Sequence, residues 1–517
     1  MRKTLLTVSV FAAGMTTLGV ELSASRLLGN VFGTSNIVWA NIIGLILVYL
    51  TAGYFLGGRW ADRSPRHETF YRLLAWAAFT AGLIPAASRP VLRQAVAAVE
   101  DLNAAVMLGS FLTVLLLFSL PVTLLGCVSP FAIRLAIQDT AHAGRVSGRL
   151  YAISTVGSIL GTFLPVLWLI PAIGTVLTFL VFSLTLLSLA LVGLIVHDRR
   201  KGLLYLWMPV VLVTVTWLTG RGPIKSATGQ IYEGESTYNY IQVIERDGTR
   251  YLLLNEGQGI HSVSRPDGVG PTFGTWDYFL AAPFLNDPPV ELSSVRRLGV
   301  VGLAAGTIPK LFTNVFGPIP IDGWEIDPQI VAVGQIYFEM NEENLNAIVS
   351  DGRWGLAHSP HRYSVISVDA YRLPYIPWHL TTREFFQEAL DHLTEDGVVA
   401  INVGRTAGDR RIVDAMAATM ASVFPAVHVV DVPATFNTII YGTAQVTRIE
   451  SLAANRDHLA GRGAPPLLLD VLARTYENRQ PLPSSPLVFT DDRAPIETLT
   501  NSVALSFLLT GDMDILR

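Results

Sequence analysis

The sequence predicts a bundle of membrane-spanning helices followed by an α/β domain on a mainly parallel sheet, with a small β-hairpin subdomain between them. Three observations carry this expectation. Half of the 517 side chains are hydrophobic and only 15% are charged, too apolar for one soluble domain and enough chain for two or three domains. The apolar residues are unevenly spread: before about residue 220 they form long, nearly uncharged runs, and after it the chain is an ordinary mixture. In that second half short β-rich runs come first, and then strand-like and helix-like runs alternate, as in strands joined by crossover helices.

Taken in order, the apolar runs lie near 4–25, 36–58, 70–88, 104–126, 149–171, 174–196 and 203–219, most of them close to the ~20 residues that cross the hydrocarbon core. The seventh is the shortest. The first follows Met-Arg-Lys and has Ser-Ala-Ser near its end, as a cleaved signal peptide does, but Glu21 and the length of the run favour a retained helix. Glu21 and Arg26 stand near its end, where they either pair at the interface or line a substrate path. The loop GGRWADRSPRH, residues 57–67, resembles the one after the second helix of major-facilitator transporters; a basic loop behind a glycine C-cap is its plainer reading.

Lys and Arg in short loops set orientation. With a cytoplasmic N terminus, Arg2, Lys3, Arg59, Arg63, Arg66, Arg72, Arg134, Arg145, Arg149, Arg199, Arg200 and Lys201 fall inside, against Arg26, Arg89, Arg93, Arg221 and Lys225 outside. The expectation is a multi-pass protein of the cell membrane, with the lipid bilayer as partner. An odd number of spans then leaves the globular half outside, where nucleotide-derived cofactors are scarce. Either one segment, 203–219 first among them, does not cross, or the globular half has an extracytoplasmic role. The single Cys127 excludes an intrachain disulfide, and the ten scattered histidines form no cluster with metal-ligand spacing, so no metal is expected. A net charge of −4 gives no reason to expect nucleic acid.

In the second half, YNYIQVIERDGTRYLLLN reads as a hairpin turning at Arg-Asp-Gly-Thr. RRLGVVGLAAGTIPKLFTNVF then reads as strand, small-residue loop and helix, and PIDGWEIDPQIVAVGQIYF repeats the scheme. The strand YSVISVDA, a helix from about Thr381 and the strand GVVAINVG follow. Parallel sheets bind ligands beyond the carboxyl ends of their strands, where the polar residues fall. Gly302 and Gly306 allow a tight turn, and the small Ala304 between them lets a ligand approach the main chain. Glu325, about 20 residues on, ends the next strand, where an acid accepts from two ribose hydroxyls; helix-terminal charge is its alternative, a role that suits Asp327 better. Asp351 and Gly352 stand at the third strand end, either facing an adenine amino group or making a turn. Without the full dinucleotide fingerprint, this describes a nucleoside pocket with no diphosphate site. Asp369 ends the fourth strand, placed to take a proton from an attacking amine or hydroxyl, or to cap the following loop.

The order GLAAGT, WEID, SDGR, VISVDAY and LTTREFF, preceded by ESTYNYIQV, resembles the polyamine aminopropyltransferases, or spermidine synthases, and most of all their bacterial forms fused to a multi-pass membrane region. The resemblance covers roughly residues 230–445. It implies a Rossmann-like domain of the class I methyltransferase type behind a small N-terminal β-hairpin subdomain, aminopropyl transfer from decarboxylated S-adenosylmethionine to putrescine or another amine, and release of methylthioadenosine. The domains are then a membrane domain of about seven helices (1–220), a small β subdomain and linker (221–290), the catalytic domain (291–445) and a helical, acidic tail (446–517), in a chain that could form a homodimer. Gly302, Ala304 and Gly306 match the glycine loop, Glu325 the ribose acid, Asp351 and Gly352 the adenine contact, Asp369 the base and Pro377 a proline bordering the nucleoside. Asn239 stands where the family has glutamine.

Three departures bear on the acceptor. Ala305 replaces the loop aspartate that holds the substrate ammonium, and Arg372 replaces a second strand-end aspartate. Trp276, Asp277 and Tyr278 stand for tyrosine, histidine and glutamate. A diamine needs carboxylates or aromatic faces, which an arginine does not supply. Trp276, Tyr278, Tyr371, Tyr375 and Trp378 either line an acceptor pocket or pack the core. Arg372 suits a substrate carboxylate, and on that reading the donor is intact S-adenosylmethionine and the reaction methyl transfer. A third alternative is a transporter or sensor whose globular half only binds a nucleoside or polyamine. The tail motif VFTDDRAPIETL brings Asp491, Asp492 and Glu497, either a solvated turn or replacement negative charge.

Overall fold

In the computed structural model, residues 2–32, 36–99, 104–137, 139, 142–219, 227–255, 259–265, 271–371, 376–406, 408–500 and 502 are described. They fall into two units, one of residues 1–227 with 235–240, the other of residues 228–234 and 241–517.

The first unit is helical: α1 (Arg2–Phe32), α2 (Asn36–Arg63), α3 (His67–Val99), α4 (Ala104–Ala136), α5 (Ala143–Leu164), α6 (Ile170–His197), α7 (Arg199–Leu203) and α8 (Trp207–Thr219). Among the described residues, six stretches are long and apolar enough to cross a membrane. One of them, Ala143–His197, runs for 55 residues, more than twice what the hydrocarbon core requires. It is interrupted at Gly174, whose φ of 78° lies outside the helical region, so its two parts correspond to the expected runs 149–171 and 174–196. Glycines let the helices approach closely, as in membrane interfaces generally: Gly157 and Gly161 lie against the carbonyls of Phe11 and Met15, and Gly53 and Gly57 against Thr123 and Cys127. Leu47, Phe55, Leu116, Leu167, Trp168 and Val210 are exposed on their helices, the outward apolar faces that a water-soluble bundle would cover.

The second unit contains most of a four-stranded antiparallel sheet: β1 (Gln230–Glu235), β2 (Tyr240–Arg246), β3 (Thr249–Leu254) and β4 (Ile260–Ser264). The β2–β3 hairpin turns at Asp247 and Gly248, with φ of 50° and 75°, as the Asp-Gly pair predicts. After the short α9 (Thr275–Tyr278) come β5 (Leu298–Val301), α10 (Thr307–Phe316), β6 (Ile321–Glu325), α11 (Pro328–Tyr337), β7 (Leu345–Val349), α12 (Gly352–Ala357), β8 (Tyr363–Val368), α13 (Arg383–Asp391), β9 (Leu393–Gly404), α14 (Arg411–Ala421), β10 (Ala426–Asp431), β11 (Asn437–Thr443), α15 (Ser451–Ala460), α16 (Pro466–Glu477) and β12 (Arg479–Gln480).

The large sheet has the order β12-β10-β11-β9-β8-β5-β6-β7, parallel from β9 to β7 and antiparallel beyond. Alternate residues of each strand face opposite sides. Leu298, Val300 and Val365 join one core with α10, α15 and α16; Val301, Ile366 and Val368 join another with α13 and α14. The chain moves from β5 to β6 and β7 on one side and returns to β8 on the other. This reversal opens a crevice at the carboxyl ends of β5 and β8. The tail helices α15 and α16 belong to the same unit and core as the sheet.

Candidate active site

The loop after β5 is shaped by close backbone packing. Gly302 has φ of 89°, and a Cβ there would lie 2.7 Å from Ala370 Cα at the end of β8, so the left-handed backbone and the contact both require glycine. Gly306, with φ of 86°, packs against Met340. Between them Ala304 has φ of 47°, and its N–H donates to Glu325 Oε2 at 2.9 Å. The N–H of Asp327 donates to Glu325 Oε1 at 3.2 Å. Glu325 is 7% exposed; burial pushes its pKa up to about 7, and the backbone donors oppose the rise. Asp327 accepts from Gln329 N as the N-cap of α11, the role that suits it in the sequence.

Asp369 follows β8 in the same crevice. Its N–H donates to the Val301 carbonyl, while Oδ2 accepts from Trp276 Nε1 at 3.0 Å and Oδ1 from Asn402 Nδ2 at 2.9 Å. Burial pushes its pKa up to about 6, against the pull of these two donors. Tyr371 donates to the Asn402 carbonyl at 3.2 Å, and its hydroxyl is held well above the ordinary range by burial and by Asp369. The cluster thus combines a carboxylate, an indole, a phenol and an amide at the strand ends.

Asp351 caps α12 by accepting from Trp354 N, and its other oxygen takes His379 Nε2 at 2.9 Å. The hydrogen bond from His379 is the main reason its pKa is lowered. Gly352 packs on Val301, with space for no side chain. Next to it, Arg353 forks between Glu388 and Asp491, and Asp491 also accepts from Thr382. The tail therefore folds back, but Asp491 is spent on Arg353 and Thr382. Pro377 precedes the short turn Trp378–Leu380, in which Trp378 is exposed and His379 reaches Asp351.

Several expected site residues are placed otherwise. Asp277 is fully buried and accepts from Thr272 N, Thr272 Oγ1 and Phe273 N, with Arg474 at 3.4 Å; its carboxylate holds a loop. Tyr278 lies in the core under the Arg474 guanidinium, its carbonyl accepting from Tyr441. In the helical turn Thr275–Tyr278, Trp276 is the residue that reaches Asp369. Ala305 is 2% exposed, packed with Ile241, Val243, Leu252 and Leu254 of the small sheet and Ile330 and Val333 of α11. Asn239 lies in the β1–β2 turn with Ser236, in the segment that groups with the helical unit. Arg372 and Tyr375 lie outside the described residues. Among the described residues no three His, Cys, Asp or Glu side chains come together as a metal site requires. Asn402 and His379 were not singled out in the sequence. The position of Asn402 near the carboxyl end of β9 was the one signal that could have found it.

No family model matches the chain. It is 30% identical over 286 residues to a protein named probable polyamine aminopropyl transferase from Bifidobacterium longum, covering 53% of this chain and 62% of that one. It is 27% identical over 229 residues to a polyamine aminopropyltransferase from Vibrio vulnificus, covering 42% and 72%. Among solved structures, a probable spermidine synthase from Corynebacterium glutamicum matches with a TM-score of 0.39 and 20% identity over 47% of this chain and 90% of that one. The chain thus spans less than two thirds of the Bifidobacterium protein and is similar in sequence to polyamine aminopropyltransferases.

Proposed function

We propose that the protein is a membrane-bound transferase that moves the aminopropyl group of decarboxylated S-adenosylmethionine to a small amine, putrescine or another, and releases methylthioadenosine. The observation that carries the reading is Asp369, a partly desolvated carboxylate at the switch point of the sheet, with a pKa of about 6, beside the glycine loop. In the reaction the amine nitrogen attacks the aminopropyl carbon bonded to the sulfonium. A C–N bond forms as the C–S bond breaks, its electron pair passes to sulfur, and Asp369 takes the proton that the nitrogen sheds. At neutral pH a group of this pKa is mostly ionised and still accepts a proton.

Glu325 accepts from the ribose hydroxyls in place of its present backbone donors, and Gly302, Ala304 and Gly306 admit the nucleoside to the main chain. Asp351, oriented by His379, faces the base, with Gly352 and Pro377 bordering it. Trp276 and Tyr371 supply aromatic surface for the sulfonium and the amine. Because Ala305 sits among apolar side chains, nothing there meets a second ammonium, and an amine with one basic nitrogen is the simpler acceptor.

The test is a product assay on the detergent-purified full chain, offered decarboxylated S-adenosylmethionine with putrescine and with monoamines, or intact S-adenosylmethionine, with Asp369→Asn alongside. Methylthioadenosine and the aminopropylated amine, both lost in Asp369→Asn, are expected. Consumption of intact S-adenosylmethionine alone, with a methylated product, would overturn the aminopropyl reading.

A further inference from the structure

We infer that the chain crosses the membrane seven times and leaves its globular half on the extracytoplasmic face, so that a transport step must deliver the nucleoside donor to the Asp369 site. The delivery clause rests on the proposed function; the sidedness does not.

The direction of every pass follows from contacts within the helical unit. Asn41 meets Ser110, Gly53 meets Gly126 and Asp62 meets Arg134, so α2 and α4 run the same way. Tyr71 packs on Gly193 while Gly82 packs on Ser183, so α3 and α6 run oppositely. Trp207 meets Trp76 and Phe79, and Leu212 meets Gly82, so α8 runs with α3. At the same offset Thr219 is level with Arg89, near the end of the apolar window of α3 at Val91. Phe11 meets Gly157 and Met15 meets Gly161, so α1 runs with α5.

Residues 64–66 between α2 and α3 are too short to do anything but reverse the chain. Hence α2, α4 and α6 share one direction, and α5, joined to α4 and α6 by short links, takes the other. The break at Gly174 is therefore a full reversal and adds the seventh pass to the six apolar stretches. With α1 and α8 parallel, the N terminus and the end of α8 lie on opposite faces.

A second observation agrees. Residues 235–240 group with the helices, and within that unit Glu235 accepts from Thr175 N at 3.0 Å and from Thr175 Oγ1 at 3.1 Å. Chain that follows α8 is thus held at the Gly174 reversal, the face opposite the N terminus. On the N-terminal face, Lys201 beyond α6 meets Glu68 at the start of α3. That face collects Arg and Lys from both ends of the α2–α3, α4–α5 and α6–α7 links, in the excess that marks the cytoplasmic side.

The experiment adds one cysteine at a time to the full chain, whose own Cys127 is buried, and treats spheroplasts with a membrane-impermeant maleimide. Val446→Cys, at a position 77% exposed, is expected to label in intact spheroplasts. Gly144→Cys, in the first turn of α5 on the N-terminal face, where a side chain meets open space, is expected to stay unlabelled until detergent is added. Labelling of Val446→Cys only after detergent, or of Gly144→Cys before it, overturns the inference. In parallel, decarboxylated S-adenosylmethionine and an amine are supplied outside the spheroplasts. Product without permeabilisation is expected; Val446→Cys labelling without product under any condition would leave the sidedness standing and count against the proposed reaction.

Discussion

Replacing Trp276 by phenylalanine tests whether the pKa of Asp369 sets the activity. The indole N–H donates to Oδ2 at 3.0 Å and Asn402 to Oδ1 at 2.9 Å, and both oppose the upward push of burial. Phenylalanine keeps an aromatic surface and deletes one donor to a charged acceptor, a bond worth roughly 1.5–3 kcal/mol. One pKa unit corresponds to about 1.4 kcal/mol, so the ceiling is a rise of about one to two units, and water reaching a half-buried carboxylate reduces it to about one. The sign is fixed, because a donor favours the ionised form and its loss favours the protonated one. The assay is kcat/KM for aminopropyl transfer across pH 5–9. The amine titrates identically with both enzymes, so the displacement between their acid limbs isolates Asp369. The break in the profile should move from near pH 6 to near pH 7, and above it the two enzymes should rise in parallel as the amine deprotonates. A limb that stays in place, or moves to lower pH, would refute the assignment of Asp369 as the titrating base.

Glu325→Gln should weaken binding of methylthioadenosine by tenfold or more, from about 1.5–3 kcal/mol per hydrogen bond to a charged acceptor, measured by calorimetry. Because the pKa of Glu325 stands at about 7, wild-type affinity should fall as pH drops below neutrality, and the glutamine variant should lose that dependence. Gly302→Ala should abolish nucleoside binding while circular dichroism stays unchanged, since a Cβ at φ of 89° would collide with Ala370. Asp491→Asn leaves Arg353 its pair with Glu388 but loosens the tail; for a partly exposed ion pair the loss is about 1 kcal/mol, or ~2–4 °C in Tm for a unit of this size, read by thermal unfolding of the full chain in detergent.

Much of the protein was legible from local pattern alone. Hydropathy located the apolar runs, including the two that the 55-residue helix at first joins, because crossing a bilayer constrains about twenty consecutive residues. The strand-to-helix alternation, the Asp-Gly hairpin turn and the strand-end positions of Gly302, Glu325, Asp351 and Asp369 were equally local, since strand periodicity and turn chemistry act over a few neighbours.

The partners of those residues were decided elsewhere. Trp276 and Asp369 are 93 positions apart, Asp369 and Asn402 are 33 apart, and Arg353 and Asp491 are 138 apart; each pair meets only because parallel strands and a returning tail bring their ends to one edge of the sheet. The sequence by itself determined that there is a half of long apolar helices, an α/β half and a row of acids at strand ends. Which of Trp276, Asp277 and Tyr278 faces Asp369, where the charge of Asp491 goes, and that the long apolar helix breaks at Gly174 were settled by tertiary packing. Side-chain direction on a short helix, and the cost of leaving a buried charge unpaired, depend on everything that surrounds them in space.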